Sequence, residues 1–263
     1  MLKAITLALL LAFVPDLAAN DPVVTRKLVI AGGGRLPDVI YERFLELAGD
    51  QPRLVLIPTA SSEIDSLGLI ELWKRRGFRD VHVLHTRDRS RANEAAFVAP
   101  LDEATAVWFG GGSQSKIADA YRGTLVETAL MKVLRRGGVI GGSSAGAAVQ
   151  SQIMIAGGRT EPELTLGLGF LRECIIDQHF LERDRIRRSI AAVKAHPEKI
   201  GIGIDEGTAL IVVDDQATVL GRSFVLRIEI GDGTDVRSYG DGERVPLRLT
   251  AGAKPRSDAL LPD

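Results

Sequence analysis

The sequence predicts an α/β protein: a mostly parallel sheet flanked by helices, with antiparallel strands toward the C-terminus. Short β-branched apolar runs alternate with segments of helical apolar spacing up to about residue 142. Glycine clusters follow two of those runs just before a helical segment begins, and beyond residue 200 strand-like runs are separated by hairpin turn signals. Alternation of strand and helix is what a parallel sheet covered on both faces requires.

In chain order, "MLKAITLALLLAFVPDLAAN" opens with Lys3, an apolar run from Ala4 to Val14, Pro15, and small residues at Ala18 and Ala19. An eleven-residue run is too short to cross a bilayer of about 30 Å but suits the apolar core of a signal peptide. Residues 1–20 are expected to be removed near Ala19, with Leu17 at the third position before the cut, leaving a periplasmic or secreted protein. No other stretch could serve as a membrane anchor. A chain of 263 residues can bury a sizeable core, and residues 25–250 are expected to form a single domain, with 251–263 a loose tail.

Strands are expected at 27–31 ("KLVIA"), 53–58 ("RLVLIP"), 81–85 ("VHVLH"), 106–110 ("AVWFG") and 138–142 ("GVIGG"), with helices over 37–49, 64–76 and 123–135. In "LWKRRGF", Lys74, Arg75 and Arg76 suit a last helical turn and Gly77 its stop, so that charge run is structural. Further on, Asp-Asp and Gly-Asp-Gly divide strand-like runs as hairpins need.

Composition narrows the partners. Thirty-three Lys and Arg against 34 Asp and Glu leave a net charge of -1 with no basic block, which argues against nucleic acid. The single cysteine, Cys174, excludes an intrachain disulfide and a cysteine-based metal site, and its apolar setting reads as a small buried hydrophobe.

"GSSAG" (142–146) fits G-x-S-x-G: a strand, a strained turn exposing a serine hydroxyl, and a helix whose first amides face the same space. Ser144 is the candidate nucleophile and the Ala145 amide a candidate oxyanion donor; the bland alternative is a glycine-rich turn with Ser144 as a helix cap. "WFGGGSQSK" (108–116) also joins a strand to a helix, which places Gly111 or Gly112 as the second donor and sends Gln114 into the cleft. It lacks the spacing of a phosphate loop, and "AGGGR" (31–35) lacks a dinucleotide fingerprint and reads as a tight turn.

Four histidines could supply the base. His82 and His85 belong to a strand region and His196 to a proline turn, whereas His179 sits where an apolar strand ends and a charged helix begins. "GIGIDEGTAL" offers Asp205 and Glu206 as the acid that orients the imidazole. Such chemistry calls for no cofactor and no metal.

"GGSSAGAA", "FGGGSQ", "IIDQHFLERDRIRR" and "GIGIDEGTAL" together resemble cyanophycinase and its relatives in peptidase family S51, over about residues 27–230. The resemblance implies a fold like that of class I glutamine amidotransferases, with a triad of Ser144, His179 and Glu206. It also implies a substrate pocket lined by Gln114, Asp177, Gln178, Arg183, Arg185 and Arg188, in which arginines hold substrate carboxylates and Asp177 a substrate arginine. Read from spacing alone, the arginines are a solvated helix face with Asp184 and Arg188 as an i,i+4 pair. Residues two apart on a helix diverge by about 200°, so Arg183 and Arg185 share a cleft only if regular helix starts near 184–186, running to about Lys194. Two features depart from the family: Ser113 stands where aspartate is frequent ("GGDQ"), and the 145–178 connection is short.

The expectation is an exported serine peptidase that cuts cyanophycin to β-Asp-Arg dipeptides through an acyl-enzyme, and a homodimer is compatible with it. An aspartyl or isoaspartyl dipeptidase is the alternative within the family, and a non-catalytic peptide-binding protein the alternative outside it.

Overall fold

A computed structural model describes residues 26–250; the expected signal peptide and the C-terminal tail lie outside the described residues. The chain runs β1 (Lys27–Ala31), α1 (Asp38–Leu47), β2 (Arg53–Ile57), α2 (Ser66–Arg75), β3 (Asp80–Val83), α3 (Ala95–Val98), β4 (Ala106–Phe109), α4 (Gln114–Tyr121), α5 (Leu125–Arg135), β5 (Val139–Ser143) and α6 (Ala145–Ala148). It continues through β6 (Ile153–Gly157), β7 (Glu163–Leu166), β8 (Cys174–Gln178), α7 (Ile186–Ala195), β9 (Ile200–Ile204), β10 (Thr208–Val213), β11 (Gln216–Gly221), β12 (Val225–Ile230) and β13 (Thr234–Tyr239).

A seven-stranded sheet has the order β11-β10-β1-β5-β4-β2-β3, with β1 through β5 all parallel and β10 and β11 antiparallel at one end. Alternate residues of its strands feed two apolar layers. Leu28, Ile30, Val107, Phe109 and Ile140 pack toward α4 and α5, while Val29, Leu54, Trp108 and Val139 pack with Phe44 of α1 and Trp73 of α2. Both faces are covered, which is why these strands read as unbroken apolar runs.

A second sheet, β13-β12-β9-β8, is built around another parallel unit, β8-α7-β9, with β12 and β13 added antiparallel. The two hairpins expected beyond residue 200 both form, around Asp214-Asp215 and around residues 231–233, but one completes the first sheet and the other the second. A separate two-stranded hairpin, β6-β7, packs beside β8.

The helix expected after Ser144 is a single turn. Carbonyls that a second turn would use are taken by tertiary partners: Leu168 donates to Val149 O (2.7 Å), Leu171 to Gln150 O (3.0 Å) and Gly169 to Ser151 O (3.2 Å). Parallel register brings the carboxyl ends of β1, β5 and β4 level, with Ala31 opposite Ser143 and Phe109 opposite Gly142. Three glycine-rich turns therefore meet at one edge, where open parallel sheets place their sites.

Candidate active site

Ser144 leaves β5 with φ 56° and ψ -112°, a conformation costing about 1–3 kcal/mol for a residue with a side chain. Its surroundings hold it there. The Ser144 N–H donates to Ala31 O (3.0 Å), and its carbonyl accepts from the amides of Ala147 (2.9 Å) and Ala148 (3.0 Å). The turn is so tight that a β-carbon on Gly142 would lie 2.3 Å from the Gly146 carbonyl oxygen.

His179 is the first residue past β8, also at positive φ (50°), and its N–H donates across to Gly32 O (2.8 Å). Its Nε2 lies 2.8 Å from Ser144 Oγ, and its Nδ1 is hydrogen-bonded to Glu206 Oε1. The ring is almost wholly buried, and burial is the main cause that pushes its pKa below the usual histidine value. The bond to Glu206 acts upward and the Arg183 charge downward. The imidazole is thus neutral near pH 7. With Nδ1–H donating to a carboxylate, the lone pair of Nε2 faces the serine hydroxyl.

Gly33 and Gly34 make room for this pair. A β-carbon on Gly33 would lie 2.3 Å from His179 Cε1, and one on Gly34 would lie 2.3 Å from Glu206 Oε2; both have positive φ. "AGGGR" is a tight turn, as expected, and it is also the floor under the imidazole and the carboxylate. No nucleotide-type spacing marks it; the available signal was a glycine run ending a strand beside the serine strand.

Asp205 and Glu206 follow β9 and diverge. Glu206 reaches the imidazole, while Asp205 Oδ1 accepts from the amides of Leu181 and Glu182 (3.0 Å each) and Oδ2 from Ser223 Oγ (2.8 Å). Burial acts to raise the Asp205 pKa, but these donors outweigh it and hold the carboxyl below its usual range.

At the serine, Ala145 opens α6 with an amide that has no partner one turn back. Gly111 is exposed, and its β-carbon position lies 3.6 Å from Ser144 Cβ. Gly112 turns away and packs on the Ala60 carbonyl. Of the two glycines, Gly111 is the one beside Ser144, Ala145 follows the serine directly, and Gln178 Oε1 lies 3.4 Å from Ser144 Oγ.

Residues 180–184 form turns and α7 starts at Ile186, matching the expected helix boundary. Four expectations for the pocket need correction. Asp177, 2% exposed, accepts from Arg188 Nε (2.8 Å) and NH2, Arg185 NH1 (3.2 Å), Ser189 Oγ (2.7 Å) and the Gln178 amide (3.0 Å), so it has no capacity left for a substrate arginine. Arg188 spends its fork on Asp177 and donates NH1 to Gly158 O (2.7 Å), because a buried charge must be paired. Gln114 is not extended into the cleft: its Nε2 donates to Ile155 O (2.8 Å) and Ala156 O (3.1 Å), tying β6 to α4. Arg185 also donates to Gln178 O (2.6 Å). Arg183 alone of the three arginines is exposed, and among the described residues it has no ion pair.

His82 is exposed, His85 bonds Thr59 Oγ1 (3.0 Å), and His196 lies at the end of α7. Cys174 is fully buried, and burial pushes its thiol far above its usual pKa. Among the described residues no group of three or more His, Cys, Asp or Glu could hold a metal, and no helix is long and apolar enough to cross a membrane.

The sequence profile of peptidase family S51 matches residues 28–220. The chain is 36% identical over 225 residues to a cyanophycinase of Synechococcus elongatus, covering 78% of this chain and 69% of that protein. It is 34% identical over 254 residues to a cyanophycinase of Nostoc sp., covering 89% and 84%. Among solved structures, a peptidase from an acI-B1 Actinobacterium superposes with a TM-score of 0.68 at 26% identity, over 84% of this chain and 97% of that one.

Proposed function

The chain belongs to peptidase family S51 and is a serine-type peptidase, and from that premise we propose that it hydrolyses cyanophycin, multi-L-arginyl-poly-L-aspartate, to β-Asp-Arg dipeptides through an acyl-enzyme on Ser144. The observation that carries the mechanism is the continuous chain of hydrogen bonds Ser144 Oγ, His179, Glu206 at the edge where three glycine turns meet. Ser144 Oγ attacks the scissile carbonyl carbon as its proton passes to His179 Nε2. Glu206 holds Nδ1–H and stabilises the imidazolium. The carbonyl oxygen, now an oxyanion, takes hydrogen bonds from the amides of Ala145 and Gly111. His179 returns the proton to the leaving amine, and a water molecule then repeats the sequence to release the acid and regenerate Ser144.

Arg183, the one exposed guanidinium of the three, is our candidate for the group that meets a substrate carboxylate. One such group in place of three also favours a second substrate class, short aspartyl or isoaspartyl peptides with a single free carboxylate near the cut. Purified mature protein given insoluble cyanophycin, with products read by mass spectrometry, separates the cases. Release of β-Asp-Arg is the expected outcome; turnover of soluble dipeptides alone moves the assignment to the second class, and turnover of neither points to a peptide-binding protein. Export is part of the proposal, motivated by the run Ala4 to Val14. N-terminal sequencing of protein from the native cell envelope should begin near Asn20, and an intact Met1 on cytoplasmic protein would overturn it.

A further inference from the structure

The turn between His179 and α7 has little to hold it. Phe180 is buried, but Leu181, Glu182, Arg183 and Asp184 are all exposed, and Asp184 sits at φ 47°. Its internal hydrogen bonds run from Arg183 N to His179 O (3.1 Å), Asp184 N to Leu181 O (3.1 Å) and Arg185 N to Phe180 O (3.0 Å). That leaves the amides of Leu181 and Glu182 without a backbone acceptor. Both donate to the same oxygen, Asp205 Oδ1. Asp205 is anchored in turn: Ser223 Oγ donates to Oδ2 (2.8 Å), and the Asp205 amide donates to Phe224 O (3.3 Å).

We propose that Asp205 is a positioning residue: its carboxylate clamps the turn 180–185 and so places Arg183 against substrate, setting affinity without taking part in proton transfer. This rests on the proposed role of Arg183. Neighbouring carboxylates thereby divide the work along one stretch of chain. Glu206 fixes the side chain of His179, and Asp205 fixes the backbone that follows it. Both Asp205 oxygens face donors other than the imidazole, and His179 Nδ1 is already occupied by Glu206. A carboxylate suits the task because an oxygen with two lone pairs and a full charge can accept two adjacent amides at once. Asparagine keeps the acceptor and loses the charge; alanine loses both.

The test is steady-state kinetics on soluble cyanophycin fragments with Asp205→Ala, Asp205→Asn and each combined with Arg183→Ala. Asp205→Ala should raise KM by about tenfold or more while kcat changes by less than about threefold, and Asp205→Asn should recover most of that KM. In the Arg183→Ala background, Asp205→Ala should add less than about twofold, since a clamp acting through Arg183 has nothing left to place. A large fall in kcat at unchanged KM would put Asp205 in proton transfer, and an equal rise in KM in both backgrounds would reduce it to general support; either overturns the proposal. Two substrate-independent readouts keep the clamp separate from the assigned activity. Hydrogen exchange at Leu181 and Glu182 should quicken in Asp205→Ala, while labelling of Ser144 by a fluorophosphonate should stay near the wild-type rate. Unchanged exchange overturns the clamp even if the wild-type protein cuts no peptide, and Ser223→Ala, a milder change, should move exchange the same way.

Discussion

The proposed nucleophile and base stand on different sheets, and the two sheets fix their residues by different physics. Ser144 ends a strand flanked by β1 and β4, with apolar layers on both faces, so register and burial set its position. His179 follows β8, an edge strand of the four-stranded sheet, and is held by its N–H bond across to the Gly32 carbonyl of the other sheet, by the Glu206 carboxylate in the β9–β10 connection, and by the room that Gly33 leaves for its ring. Just before it, Asp177 gathers two arginines, a hydroxyl and an amide into a buried hub that ties β8 to α7 and to the β6-β7 hairpin. An apolar sheet centre tolerates conservative substitution, whereas a polar hub fails when one partner is removed.

The largest expected effects test whether the two sheets act as one unit. Ser144→Ala and His179→Ala should each lower kcat by about 10⁴-fold or more, with the double variant no worse than either alone. Independent, multiplying losses would break the coupling. Glu206→Gln should cost roughly 10²- to 10⁴-fold in kcat, because it loses the charge that stabilises the imidazolium. A mild effect there would leave His179 oriented by the glycine floor alone.

Gly33→Ala sharpens the contrast. Its β-carbon would collide with the imidazole at a backbone angle of φ 111°, so activity should fall about a hundredfold or more, an estimate set by how strongly misplacement by ~1 Å penalises catalysis. Near-normal activity would mean the floor yields. Arg188→Met, by contrast, removes two charge-assisted hydrogen bonds from buried Asp177, leaving Arg185, Ser189 and the Gln178 amide as its partners, and should cost about 1.5–3 kcal/mol of stability, read as a lower midpoint in urea. If Arg188→Met leaves stability unchanged and only weakens substrate affinity, Arg188 is a pocket residue after all. Arg183→Lys keeps the charge and loses the planar fork, so kcat/KM should drop about tenfold, near 1.4 kcal/mol, at unchanged stability.

The smallest effect is a shift in pH dependence. The His179 pKa lies below the ordinary 6.5 in the folded protein, so the imidazole stays neutral, and active as a base, to lower pH. Activity is lost only as pH falls through that depressed value, which puts the acidic limb of kcat/KM below pH 6.5. Arg183 contributes to the depression, so Arg183→Ala should move the limb upward. An unmoved limb would place the Arg183 charge too far from the ring to matter.

Strand and helix alternation, the serine elbow in "GSSAG" and the start of α7 after an irregular turn were all legible in the sequence, because apolar period and turn chemistry act between residues a few positions apart. Which of two adjacent acids meets His179 was implied by the family resemblance but not by the local pattern, and the tertiary structure shows it, since Asp205 and Glu206 are alike in charge and differ in the direction each leaves β9. It alone separated Arg183 from Arg188, because a guanidinium in solvent and one locked on a buried carboxylate have the same letter and similar neighbours. It alone gave Gly33 its place beneath an imidazole 146 positions along the chain. Such contacts depend on how one sheet is set against another, and that arrangement is fixed by the packing of the whole chain, which no local pattern encodes.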